Sequence, residues 1–236
     1  MFQLRFLAQL GCAVLCMVSL VCLPAASQEK QPAKQPDLAL LLKPDAPEMK
    51  RKAPDHFQVR LHTNKGLIVL EIHRDWAPLG VDRFFNLVGG GYYDEARFFR
   101  ISKGNWAQFG VNGDPKISKV WRNKTIPDDP PKESNVRGTI AFAFAVKDGR
   151  TTQLFLNLKD NSATHDKEPF VPLGKVIEGM AVADKLNAEY AEKAGGGIRA
   201  GKQDKLFDEG NAWLKSNFPR LDYIERATVA VGKKAR

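Results

Sequence analysis

Cysteine is nearly absent. The chain of 236 residues has three, Cys12, Cys16 and Cys22, all within its first 27 positions. Everything beyond them lacks thiols, which excludes a disulfide framework, a thiol nucleophile and a thiolate metal site there. Histidine is scarce too: His56, His62, His73 and His165 are the four. They are scattered, with no carboxylate at a recognised ligand spacing, so a metal-dependent hydrolase is disfavoured and no metal or cofactor is expected. His62 and His73, on the two arms of a first hairpin, are the pair best placed to meet. The glycines at 195 to 197 lack a phosphate-loop pattern and read as a linker. No segment repeats.

Charge is missing from one long stretch. After Arg5 the chain carries none from Phe6 to Ser27, and Ala25 and Ser27 have the small-residue spacing of a signal-peptidase site. Residues 1–27 read as a signal peptide, the alternative being an uncleaved anchor over Phe6 to Leu23. Either makes the remainder an exported protein, in a bacterium a periplasmic one. The net charge of +9 is dispersed, with only "KRK" (50–52) clustered. Nucleic acid is therefore not an expected partner.

Residues 28–55, rich in Pro, Lys and Gln, cannot build a core and read as a flexible linker. Order is expected over 56–231, followed by a basic tail at 232–236. "HFQVRLHTNKGLIVLEIH" alternates apolar and polar residues around a turn and predicts a hairpin. "WAPLGVDRFFNLVGGG" places Pro78 in a first helical turn, Val81, Phe84, Phe85 and Val88 on one face, and glycines at the end. Short strands are expected at 138–145, 153–158, 171–177 and 221–231, with a second helix over 180–190 and a helical turn at "NAWLKSNF". "DDPP" (128–131) reads as a surface loop. Many strands joined by tight turns, with two substantial helices, indicate a mainly β, antiparallel barrel.

The stretch "FFRISKGNWAQFG" (98–110) places an arginine and a glutamine in apolar surroundings. If it folds back about Gly104, Arg100 faces Gln108 and Ser102 faces Trp106. Alternation then puts Phe99, Ile101, Ala107 and Phe109 in the core. Arg100, Trp106 and Gln108, with Phe98, share the other face: a cation and an amide beside aromatic rings, suited to receiving an amide substrate.

This stretch resembles the "FHR-x-x-P-G-F-x-x-Q-G-G" segment of cyclophilins, the peptidyl-prolyl cis–trans isomerases, and "FGVNGDP" (109–115) resembles its continuation in bacterial members. "GTIAFA", "TTQLFLNLKDN" (151–161) and "FVPLGKVIEGMAVADKL" (170–186) resemble later motifs in the same order, so the likeness covers roughly 56–190. It implies an eight-stranded antiparallel β-barrel capped by two α-helices, acting as a monomer on proline-containing segments of exported or unfolded proteins without a cofactor. By position, Arg100 is the implied catalytic arginine and Gln108 the amide anchor. Gln153 is the second glutamine, Phe155 lines the proline pocket, Phe170 sits at its edge, and Ala143 lies where backbone binds substrate. Two departures stand out. Asn105 replaces a pocket phenylalanine, and Trp106 follows it. Phe144 and Val146 also stand where smaller residues are usual. A cyclophilin-like peptide-binding or chaperone module with weak or no isomerase activity is the alternative.

Overall fold

The computed structural model describes residues 37–168, 170–195 and 202–230. The expected signal peptide at 1–27, the first part of the expected linker at 28–36 and the expected tail at 232–236 lie outside the described residues. The first hairpin forms as expected. β1 (His56–Thr63) pairs antiparallel with β2 (Gly66–His73), His56 opposite His73, and its alternation buries Phe57, Val59 and Leu61. The remaining strands are β3 (Arg100–Ser102), β4 (Trp106–Phe109), β5 (Thr139–Phe142), β6 (Leu154–Asn157), β7 (Pro172–Glu178) and β8 (Ile224–Ala230).

These eight strands make one curled antiparallel sheet in the order β3-β4-β6-β5-β7-β2-β1-β8. Its two edge strands approach each other just before they begin. There Phe98 N–H donates to the Asp222 carbonyl and Ile224 N–H to the Ala96 carbonyl, each at 2.9 Å. Side chains from β1, β2, β4, β6 and β7, Leu61, Leu70, Phe109, Leu156 and Leu173 among them, fill the interior.

The helices depart from expectation in part. α1 (Leu38–Leu41) is a single turn; α2 (Pro78–Gly89) is the helix read from the sequence, and Val81, Phe84, Leu87 and Val88 are its buried face. α3 (Pro115–Trp121) starts at Pro115 with Asp114 as its cap, the Asp114 side chain accepting from Lys116 N–H. α4 (Ser162–His165) is short. The second helix expected over 180–190 stops after one turn, α5 (Met180–Ala183). Tertiary bonds compete there: Asn187 N–H donates to the buried Asp222 carboxylate at 2.7 Å, and the Asp184 side chain pairs with Arg137. The second long helix is instead α6 (Asp204–Asn217), kinked at Gly210. Gly210 has φ +55°, and a Cβ on it would stand 2.2 Å from the Gly113 carbonyl oxygen, so only glycine fits where α6 crosses the loop before α3.

Two further readings are corrected. Residues 37–55 do not behave as a linker. Leu41, Met49 and Ala53 are buried beside α2, the Leu41 carbonyl accepts from Trp121 Nε1 at 2.8 Å, and Ala53 N–H donates to Asp82 at 2.8 Å. Scattered apolar residues suffice because α2 offers an apolar seat and side chains that satisfy the segment's backbone. Arg51, from the basic cluster, is itself engaged with Asn86. Nor is Asp129 of "DDPP" a surface residue. It is buried, accepts from the N–H groups of Leu79 and Gly80 at 3.0 and 2.9 Å, and pairs with buried Arg150 at 2.9 Å. The first turn of α2, which lacks a side-chain cap of its own, is capped from this distant loop.

Candidate active site

The fold-back about Gly104 positions the site. β3 and β4 pair in the expected register, Arg100 opposite Gln108, Ile101 opposite Ala107 and Ser102 opposite Trp106. Gly104 takes φ +70° in the turn, and Asn105 N–H closes it on the Ser102 carbonyl at 2.8 Å. β4 pairs next with β6, setting Gln108 opposite Phe155. Gly110 (φ +106°) then lets the chain pass under β6: a Cβ there would lie 2.5 Å from the Thr152 carbonyl oxygen. The Thr152 hydroxyl donates to the Gly110 carbonyl at 2.8 Å and its own carbonyl accepts from Tyr93 at 3.0 Å. The residue beside Gln153 is thereby fixed.

A polar chain runs across the resulting groove. Arg100 Nη1 donates to Gln108 Oε1 at 3.1 Å, Gln108 Nε2 to Gln153 Oε1 at 2.8 Å, and Gln153 Nε2 to Gln203 Oε1 at 2.9 Å. Each amide therefore has a defined orientation. The guanidinium lies 4.7 Å from the Trp106 ring centroid and Nη2 pairs with Glu192 at 3.2 Å. Arg100 Nε is buried and finds no hydrogen-bond partner among the described residues. Burial pulls the Arg100 pKa down and Glu192 opposes that pull; a guanidinium stays protonated regardless.

Beside this chain stands an apolar seat. The rings of Phe155, His165 and Phe170 are mutually 5.2 to 5.4 Å apart at their centroids, and Phe144 lies 4.8 Å from Phe170. Burial lowers the His165 pKa, Asp166 works against that, and Lys159 adds to it, so the ring is neutral at neutral pH.

Arg100, Trp106, Gln108, Ala143, Gln153, Phe155 and Phe170 all line this one groove, of about 630 Å³. Ala143 contributes backbone whose N–H is already bonded to the Gln153 carbonyl at 2.9 Å. Two expected residues are not there. Phe98 is fully buried in the barrel core against Phe109, at 5.2 Å between centroids, because regular alternation starts only at Arg100 and the two residues before it lie outside the ladder. Phe99 correspondingly packs in a separate cluster with Phe207 and Leu214. Asn105 turns away to Ser102 Oγ at 2.8 Å, and its carbonyl holds Asn161 Nδ2 at 2.8 Å; it serves the turn and not the groove.

Conversely, Glu192, Gln203 and His165 line the groove without having been anticipated there. Glu192 and Gln203 lie beyond the quoted motifs; Glu192 is brought in beside β3, where Ile101 N–H donates to the Ala191 carbonyl at 2.9 Å, and Gln203 through its bond with Gln153. His165 had been weighed only as a metal ligand. Its proximity to Phe170 in sequence was the available signal. The histidine pairing also differs from expectation, since His73 meets His56 across the hairpin and not His62.

The model of one protein family, described as cyclophilin type peptidyl-prolyl cis-trans isomerase/CLD, matches residues 58–205. The chain belongs to the cyclophilin family. Among relatives of this cyclophilin, peptidyl-prolyl cis-trans isomerase A of Dickeya dadantii (strain 3937) is 35% identical over 147 residues, covering 58% of this chain and 74% of the relative. Peptidyl-prolyl cis-trans isomerase B of Escherichia coli (strain K12) is 27% identical over 158 residues, 64% of this chain and 96% of its own. Two crystal structures of a Cryptosporidium parvum cyclophilin type isomerase share the fold, with TM-scores of 0.53 and 0.51 at 16% and 18% identity. They cover 75% and 74% of this chain and 99% of theirs, and the second was determined in the presence of the dipeptide Ala-Pro.

Proposed function

We propose that this cyclophilin isomerises X–Pro bonds in exported proteins, with Arg100 stabilising the twisted amide. The observation that carries the reading is the juxtaposition in one groove of an oriented guanidinium, two ordered glutamine amides and an aromatic seat. Turning an X–Pro bond means giving up amide resonance, a barrier of about 18–20 kcal/mol, so the unaided step takes tens to hundreds of seconds. As the bond twists, the prolyl nitrogen becomes pyramidal and gains a lone pair. Arg100 can donate to that lone pair, which the planar ground state does not present, so the bond stabilises the transition state alone.

A charge-assisted hydrogen bond contributes about 1.5–3 kcal/mol. The rest is positioning: the ring of proline seats against Phe155, His165 and Phe170, while Gln108 and Gln153 offer amides to the flanking carbonyl. With Asn105 turned away, the family's missing pocket phenylalanine is compensated by His165 and Phe144, and Trp106 supports the guanidinium from its face. No nucleophile or general base is needed. The exported location rests on the uncharged run from Phe6 to Ser27 and its small-residue end. Proline-containing segments of envelope or unfolded proteins are the substrates that location supplies.

Titrating the chain with a short Ala-Pro peptide under NMR observation tests the seat. The Trp106 indole and the Gln108 and Gln153 side-chain amides are expected to shift, and Phe155→Ala is expected to weaken binding by 1.5–3 kcal/mol, about tenfold to a hundredfold. Binding of equal strength in Phe155→Ala would place the proline elsewhere.

A further inference from the structure

The hairpin ends far along β1 and β2 carry a second constellation, none of whose residues lines the groove. His56 opens β1 and His73 closes β2, and the ladder sets them directly opposite one another. Their Nδ1 atoms are 3.1 Å apart with the rings edge to face. Asp75 follows in the tight turn that Trp76 N–H closes on the His73 carbonyl at 3.1 Å. One donor atom from each of His56, His73 and Asp75 lies within 4.8 Å of the other two.

The surroundings orient one of these ligands and clear competing cations away. Glu71 holds His73 Nε2 at 3.0 Å. A carboxylate there fixes the proton on Nε2 and leaves the Nδ1 lone pair pointing at His56, the carboxylate–histidine arrangement that supports metal-bound imidazoles. Trp76 stacks on the His73 ring at 4.3 Å and 10°, locking its plane. Arg74, between two of the ligands in sequence, is drawn off by a double hydrogen bond to Asp82 at 2.8 and 2.9 Å, and Lys175 is drawn to Glu71 at 3.6 Å.

We infer that His56, His73 and Asp75 form a binding site for a divalent transition-metal ion of the Zn²⁺ kind, a site separate from the isomerase groove. Two nitrogens each 2.0–2.1 Å from a tetrahedral ion lie roughly 3.3 Å apart, and the 3.1 Å between the two Nδ1 atoms already matches that span. The ion takes the place of the proton shared between the two rings. Two imidazoles with one carboxylate select Zn²⁺, Cu²⁺ or Ni²⁺ over Mg²⁺ and Ca²⁺, which prefer all-oxygen sets. Three protein ligands leave a fourth position to water, as in exchangeable and not in closed structural sites. Because the ligands tie the start of β1 to the end of β2, binding stabilises the folded hairpin.

The test is calorimetric titration of ZnCl₂ into the untagged full chain, with Cys12, Cys16 and Cys22 blocked by alkylation, alongside long-range imidazole NMR. One Zn²⁺ per chain is expected, with the Nδ1 resonances of His56 and His73 shifting and the melting temperature rising. His56→Ala and His73→Ala are each expected to lose at least tenfold in affinity and the thermal shift, whereas His62→Ala retains both. His56 is exposed, so its substitution does not endanger folding, and isomerisation of an Ala-Pro peptide by His56→Ala is expected to equal wild type. Failure of the wild-type chain to bind Zn²⁺, or unchanged affinity in His56→Ala, overturns the assignment.

Discussion

Phe155, His165 and Phe170 decide what the apolar end of the groove can hold, and His165 makes that end sensitive to acid. Its pKa is depressed mainly by burial, so the unfolded chain takes up the proton first. Above about 6.5, the ordinary imidazole value, both states are neutral and nothing is gained or lost. As pH falls below that value, the unfolded state binds the proton more readily and stability drops, until pH passes the lowered folded-state pKa. The difference in melting temperature between wild type and His165→Phe, followed from pH 7.5 to 5, is therefore expected to shift against wild type with acid. A difference independent of pH would mean His165 is not held neutral in the fold. Arg100, Gln108, Gln153, Phe155 and Phe170 were legible as groove residues because each stands in a short motif on a regular strand or at its end. His165, Glu192 and Gln203 were not, because their approach depends on loops whose course no local periodicity records.

Among the elements, α2 shows how far apart in sequence a helix and its cap can lie. The Asp129 carboxylate accepts two N–H groups from the first turn of α2 and pairs with Arg150, both side chains being about 1% exposed. Arg150 immediately precedes the Thr151–Gln153 segment of the groove. Arg150 also lies 3.3 Å from Asp128, so losing Asp129 leaves it one carboxylate, at a cost of about 2–4 kcal/mol from the lost buried pair and the uncapped α2 turn. Asp129→Ala is expected to lower the unfolding free energy in urea by that amount, seen as a lower midpoint with an unchanged denaturant slope; a loss under about 1 kcal/mol would show that Asp128 or water takes over Arg150. The register of β3 and β4 followed from the sequence because a tight turn and two-residue alternation leave little choice. The helix over 180–190 stops after Ala183, where Asn187 N–H is drawn to the buried Asp222 carboxylate and not to a helical carbonyl. Burial of Ala183 and Leu186 satisfies the same apolar pattern without a helix.

At the scale of the molecule, residues 37–55 are part of the folded body. Leu41 is fully buried, and a Cβ on Gly90 would stand 3.0 Å from its Cδ2, a contact that shows how closely the segment fits against the end of α2. Leu41→Ala is expected to cost about 2–5 kcal/mol in equilibrium unfolding, whereas a true linker would tolerate it without effect. Composition misled here because Pro, Lys and Gln stand out when residues 28–55 are read together, while the docking of 37–55 depends on three separated apolar residues and on Asp82 and Asn86 of α2 to bond its backbone. The barrel itself was legible in outline: strand-length apolar runs between turn residues specify a sheet, and ordered motifs specify its order. Only the structure shows the sheet's edges meeting through Phe98 and Asp222.

The central claim is that Arg100 turns a peptide-binding groove into an isomerase. Exchange NMR on an Ala-Pro peptide, with catalytic amounts of the chain and of Arg100→Ala, measures this directly. The account predicts accelerated cis–trans exchange with wild type and a loss of about tenfold to a hundredfold in the variant, the rate equivalent of 1.5–3 kcal/mol, while the peptide still shifts the groove resonances of both. Equal rates for the two proteins, or binding by folded wild type without acceleration, would contradict it and leave a peptide-binding module in its place.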